Sequence, residues 1–131
     1  MIKELERREF SDLLLLLGDF YKEASKKLAL PPLSIRKVTE TALNAYERGK
    51  IFIWKEDSAL EGAIGLMPTR LWYSEGEILG DVFFYVRPTM RSSWAATELM
   101  KKAQSYAASK NMPLLVAVVS GEDVLRKDKL Y

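Results

Sequence analysis

Ile78 to Gly121, ILGDVFFYVRPTMRSSWAATELMKKAQSYAASKNMPLLVAVVSG, decides the fold. Its first nine residues, to Val86, are an apolar run interrupted only by Gly80 and Asp81, which predicts a strand buried on both faces. The turn V-R-P-T-M-R leads into small and hydroxylated residues, Ser92, Ser93, Ala95 and Ala96, that suit a helix start. From about Ser92 to Lys110, Ala96, Leu99, Met100, Ala103, Tyr106 and Ala107 fall on one helical side, and Asn111 with Pro113 ends the pattern. Leu114 to Val119 is a second apolar strand, parallel to the first by the handedness of crossovers. The first N–H groups of a helix lack intrahelical partners and carry roughly half a positive charge, so this strand–helix junction is suited to an anion.

Outward from this unit, Met1 to Glu6 reads as a short strand. Ser11 is a candidate N-cap for a helix bearing Leu13, Leu14, Leu17, Tyr21, Ala24 and Leu28 on one face and ending before Pro31-Pro32. Ser34 caps a second helix with Ile35, Val38, Ala42, Ala45 and Tyr46 at three- and four-residue steps, and Gly49 is expected in a left-handed position at its end. Lys50 to Lys55 and Leu60 to Met67 form a hairpin around Glu56-Asp57-Ser58, with Pro68 expected to stop the second strand. The order β-α-α-β-β-β-α-β predicts one domain over residues 1–131: an α/β (α+β) chain with a mixed central sheet and helices on both faces.

Twenty basic and 18 acidic residues, scattered along the chain, give a net charge of +2 and no basic stripe that would indicate nucleic acid. The 131 residues contain no cysteine and no histidine. That removes disulfides, thiol nucleophiles, imidazole bases and nearly all transition-metal sites, so no metal is expected and any chemistry must use carboxylates, hydroxyls, amines or backbone. The apolar run Leu13 to Leu17 is too short to span a membrane. A soluble, cytoplasmic protein without membrane association is the expectation.

Strand, turn, small-residue helix start and second strand together resemble motif A of the GNAT-type N-acetyltransferases, in which an R/Q-x-x-G-x-G/A loop wraps the pyrophosphate of acetyl-CoA. The resemblance covers nearly the whole chain, from the family's first strand through its fifth. It implies an acetyl-CoA-dependent enzyme that passes acetyl directly to an amine acceptor. The loop corresponds to Arg91, Ser92, Ser93, Trp94, Ala95 and Ala96, with Thr97 next to it, and Trp94 stands where the family prefers glycine. Backbone groups of Phe84, Tyr85 and Val86 would hold the pantetheine arm. Asp81, inside the apolar strand, is the best candidate for the carboxylate that assists proton removal, since burial would raise its pKa. Leu130-Tyr131 matches the start of the family's L-Y-E-R motif, which makes Tyr131 the candidate acid, and the chain then stops short of the family's last two strands.

Other readings of the same residues stay open at this point. Ser92 and Ser93 suit an N-cap, Arg91 a solvated surface, Asp81 a bond to nearby backbone, and Phe84 to Val86 an ordinary core. Trp72-Tyr73 are hairpin aromatics or the lining of an acceptor pocket. The alternative function is a noncatalytic GNAT-like interaction module, favoured by Trp94 and the early stop. A fifth strand without its usual neighbour would expose the edge of Leu114 to Val119, so a homo-oligomer is expected.

Overall fold

The computed structural model describes residues 1–91 and 93–116. In chain order the elements are β1 (Ile2–Glu4), α1 (Phe10–Lys27), α2 (Ile35–Arg48), β2 (Lys50–Glu56), β3 (Ala59–Thr69), β4 (Ile78–Val86), α3 (Ala95–Ser109) and β5 (Leu114–Leu115), with single 3-10 turns at Arg7–Glu9 and Pro88–Met90. The strands lie side by side in the order β1-β2-β3-β4-β5. Neighbours are antiparallel except β4 and β5, which are parallel as the right-handed crossover through α3 requires.

The two-residue period of the strands sorts the core. Ile51, Ile53, Ala63 and Tyr85 meet Leu13, Leu16, Leu17, Ala42 and Ala45 of α1 and α2 on one face. Phe52, Ile64, Leu66, Leu79 and Val86 meet Ala95, Leu99, Ala103 and Ala107 of α3 on the other. Each fully buried leucine or isoleucine contributes roughly 1.5–3 kcal/mol, and among the described residues eight large side chains are almost wholly buried. Helices therefore cover both faces of a mixed sheet, as the sequence predicts.

Several boundaries differ from the sequence reading for local reasons. Ser11 is not the cap of α1. The Glu6 N–H bonds Glu9 Oε1 at 2.9 Å, a 3-10 turn forms first, and the helix starts at Phe10 with Glu9 as its N-cap. Gly49 has φ −130°, so it is not left-handed. Glycine is needed there because a Cβ would lie 1.8 Å from the carbonyl oxygen of Leu66. Pro68 does not end β3, which runs on to Thr69. The β2 ladder has already stopped at Lys50↔Leu66, so proline sits where β3 has β4 alone as partner. Asp57 and Ser58, with φ of 48° and 71°, make the two-residue hairpin turn whose twist matches the strands. β4 is half-buried and not sealed on both faces, with Val82 41% exposed. α3 begins at Ala95, three residues later than expected, because Pro88–Met90 and the turn after it use up the intervening chain. Ala117 to Val119 of the expected last strand, and the expected acid Tyr131, lie outside the described residues.

Candidate active site at the end of β4

The site is built by an irregularity in the β3–β4 ladder. Gly65 opposes Phe83 and Leu66 opposes Asp81, so Val82 is an extra residue, a bulge that bends the strand. Beyond it, Arg87 donates its N–H to the carbonyl oxygen of Glu61 at 2.9 Å. Hydrogen-bonded pairs recur every second residue in an antiparallel ladder, so Phe83 and Tyr85 turn their backbone groups to β3, whereas Phe84 and Val86 turn theirs to the opposite edge. On that edge the Leu79 N–H bonds Pro113 O at 2.8 Å, and the described pairing to β5 covers Leu79↔Leu114 and Gly80↔Leu115. Of the three residues expected to offer backbone to a pantetheine arm, Phe84 and Val86 thus have the required direction, although the Val86 carbonyl oxygen already accepts from Arg91 Nε at 2.9 Å and only its N–H is left for such an arm. Tyr85 instead uses its backbone on β3 and is itself buried.

At the helix start, Glu98 N–H makes the first α3 bond, to Trp94 O at 2.8 Å, so the N–H groups of Ala96 and Thr97 come ahead of the intrahelical ladder. The hydroxyl of Ser93 takes the N–H of Ala95 at 3.2 Å and donates to Met90 O. Ser93 thus acts as the local cap of the helix. Ala95 is fully buried, Ala96 half-buried and Thr97 exposed. Trp94 is 74% exposed. Its ring is exposed to solvent and is not packed into the core beneath the helix. Ser92 lies outside the described residues. Asp81 is half-buried opposite Leu66, a residue of the α3-side core, so it shares the sheet face of α3.

Arg91 points the other way. Its Nη1 and Nη2 bond the two carboxylate oxygens of Glu23 on α1 at 2.7 and 2.8 Å, and its Nε bonds Val86 O at 2.9 Å. The guanidinium lies 5.5 Å from the centre of the Tyr85 ring, and the Tyr85 hydroxyl donates to Glu23 at 2.8 Å. The hydrogen bonds from Arg91 hold the Glu23 carboxyl below its ordinary range against the opposing effect of burial, with Tyr85 adding to the shift. Burial, reinforced by Glu23, pushes the Tyr85 hydroxyl up to about 12. One turn earlier, Asp19 takes Arg87 Nε and Nη2 at 3.1 and 2.8 Å, while Arg87 Nη1 reaches Leu60 O at 2.6 Å. Sequence reasoning missed Asp19, Glu23 and Arg87. Their spacing was the available signal: two acids, 19 and 23, on one helix and two arginines, 87 and 91, around one turn, each pair four apart.

Trp72 and Tyr73 pack edge to face at 5.1 Å on the β3–β4 loop, and both are exposed, Trp72 by 94%. They do not line a closed pocket. Among the described residues no group of three or more His, Cys, Asp or Glu side chains could hold a metal ion, and no helix is long and apolar enough to cross a membrane.

A mixed sheet flanked by a helix pair and a crossover helix, with a bulged strand feeding an open helix start, defines an α/β fold. The particular fold is that of the GNAT acetyltransferases. An acetyltransferase of Trypanosoma brucei superposes with a TM-score of 0.67 at 21% identity, over 99% of this chain and 89% of that one. The aminoglycoside N-acetyltransferase AAC(6')-Iy, in complex with a CoA-linked bisubstrate analogue, gives 0.75 at 12% identity, over 98% and 85%. A predicted acetyltransferase of Clostridium acetobutylicum, solved with acetyl-CoA, gives 0.73 at 17% identity, over 97% and 86%. No family model and no curated protein sequence matches the chain.

Proposed function

We propose that the protein is an acetyl-CoA-dependent N-acetyltransferase. The observation that carries this reading is the conjunction at the end of β4. A bulged strand turns the backbone of Phe84 and Val86 away from β3, immediately before a helix start whose Ala96 and Thr97 N–H groups precede the intrahelical bonds. Together they fit an arm that bonds a strand edge and a diphosphate that needs backbone donors and a helix dipole. The likeness to acetyltransferases solved with CoA and acetyl-CoA supports the same reading.

In the proposed reaction the acceptor nitrogen attacks the thioester carbonyl carbon. The C–N bond forms, the C–S bond breaks, and its electron pair leaves with sulfur. The proton lost by nitrogen passes to a base, and the departing thiolate takes one up. Asp81, on the α3 face of β4, is the proposed base, and Tyr131 the proposed acid. Ser92 and Ser93, with Ala95, Ala96 and Thr97, form the proposed diphosphate loop, in which Ser93 acts by fixing the helix start. The alternative reading, a noncatalytic interaction module in which the exposed Trp94 ring covers the helix start, predicts no CoA binding and is separated from this one by titration with the cofactor.

Titration with acetyl-CoA tests the first half of the proposal. A ligand at about 100 times its dissociation constant stabilises the folded state by roughly 2.7 kcal/mol, a clear rise in Tm. The second half is tested by following thiol release with a chromogenic thiol reagent across a panel of amines. The chain has no cysteine, so CoA is the only thiol in the assay. A folded protein whose Tm is unmoved by saturating acetyl-CoA refutes the reading.

A further inference from the structure

The turn between β4 and α3 is riveted to α1 by two arginine–carboxylate pairs of matching pitch. Asp19 and Glu23 are four apart and face the same way on α1. Arg87 and Arg91, also four apart, bracket the 3-10 turn Pro88–Met90. Arg87 bonds Asp19 with two nitrogens and Leu60 O with the third. Arg91 bonds Glu23 with two and Val86 O with the third. Each guanidinium thus joins α1 to the sheet and directs all three of its nitrogens to that task. The Tyr85 hydroxyl bonds Glu23 from beneath, so the carboxylate that orients Arg91 is itself oriented.

We propose that Asp19 and Glu23 are positioning residues for the diphosphate turn, acting through Arg87 and Arg91, and that Arg91 is a tether of that turn and not a ligand of phosphate. This rests on the reading of the α3 start as the diphosphate site. The physical argument is one of charge and geometry. A guanidinium in bidentate contact with a carboxylate has its charge matched, so it adds little net positive potential for a second anion. Its rigid fork instead fixes distance and angle, here between α1 and the residues that lead into α3. The pairs are part-exposed, so they contribute little to global stability. What they fix is the pitch of the turn, and with it where the N–H groups of Ala96 and Thr97 point. The helix that meets the turn on its far side is thereby coupled to the CoA site.

The two roles of Arg91 predict opposite signs for one substitution. Glu23→Gln frees the Arg91 charge. A phosphate-binding Arg91 would then bind CoA more tightly, whereas a tether that has lost its anchor lets the turn drift and binds CoA more weakly. The experiment is calorimetric titration of CoA into the wild type, Glu23→Gln, Arg91→Lys and the double variant, with Tm recorded for each. The expected result is roughly tenfold weaker binding in each single variant, no further loss in the double variant, and Tm within a few degrees of the wild type. Arg91→Lys keeps the charge but loses the fork, so its weakening separates tether from charge. CoA affinity unchanged or tighter in Glu23→Gln, or retained in Arg91→Lys, overturns the proposal while leaving the CoA site standing. A folded wild type that does not bind CoA overturns both. Should Glu23→Gln fail to fold, Asp19→Asn tests the same rivet at its other pair. The same weakening is expected there, and unchanged affinity overturns the proposal.

Discussion

Thr97→Glu puts a carboxylate at the third position of α3, one of the positions whose N–H precedes the intrahelical ladder. Thr97 is exposed, so the longer side chain needs no repacking. A glutamate in the first helical turn is favourable by about 0.3–1 kcal/mol, because it faces the positive end of the peptide dipoles. For the bound diphosphate the sign is reversed. A unit charge about 5 Å from another, at an effective dielectric near 20, repels it by about 3 kcal/mol. Solvent and salt at an exposed helix start reduce this to about half, which leaves roughly a tenfold loss in Kd. The variant is therefore expected to melt at or slightly above the wild-type temperature while binding acetyl-CoA about ten times more weakly, as read by thermal denaturation and calorimetric titration. Thr97→Gln, equal in size and uncharged, should keep the wild-type Kd. A folded Thr97→Glu with wild-type affinity would mean that the α3 start is not where the diphosphate sits.

Glu9 is buried between Lys55 Nζ at 2.8 Å and Lys3 Nζ at 3.4 Å, and also takes the Glu6 N–H. Burial alone would raise its pKa, but Lys55, the Glu6 N–H and Lys3 together bring it below the ordinary 4.5. Its stabilisation is therefore present above that ordinary value and lost as pH falls through the depressed one. Glu9→Gln should cost about 1–3 kcal/mol at pH 7 in urea unfolding and converge with the wild type in acid; a pH-independent difference would contradict the assignment. With Tyr85 raised to about 12, the fold favours its protonated form, a contribution fully present below pH 10 and lost as pH rises from there through about 12. In ultraviolet titration one of the six tyrosines should ionise last, and Tyr85→Phe should remove that step. Leu115 is 54% exposed on β5, the last strand of the sheet among the described residues. Sedimentation should detect self-association that Leu115→Lys abolishes, and a wild type that stays monomeric at high micromolar concentration would count against it.

Element order, the hairpin and the crossover helix were legible in the sequence, because apolar period and turn chemistry are local properties, whereas β4, read from its apolar run as buried on both faces, is half-buried and lies beside β3, the middle strand of the described sheet. Asn111, with φ of 57°, ends α3 as its residue type suggests. Gly49 was misread because its requirement is not local: the carbonyl of Leu66, 17 positions away, leaves no room for a Cβ. The start of α3 was placed early because small hydroxylated residues suit both a helix start and the tight turn ahead of one. Arg91 was recognised as important for its place in the loop, but its partner belongs to α1. Periodicity marks a helix face as polar and does not say which polar residue across the fold it will meet.

The bulge at Val82 is the feature that makes one strand serve both faces of the site. Before it, Leu79 and Asp81 share the side of α3, as their partners Pro68 and Leu66 require. Had the ladder continued without an extra residue, odd positions would have stayed on that side, and Tyr85 would oppose Gly62 beneath α3. The inserted residue shifts the parity. Tyr85 then falls under α1, within 2.8 Å of Glu23, while Phe84 and Val86 take the α3 side and turn their backbone away from β3. The same single residue thus aims the strand edge at the α3 start and delivers the tyrosine that steadies the Glu23–Arg91 tether. Neither consequence is visible in the apolar run Val82 to Val86, whose residues satisfy a strand in either register.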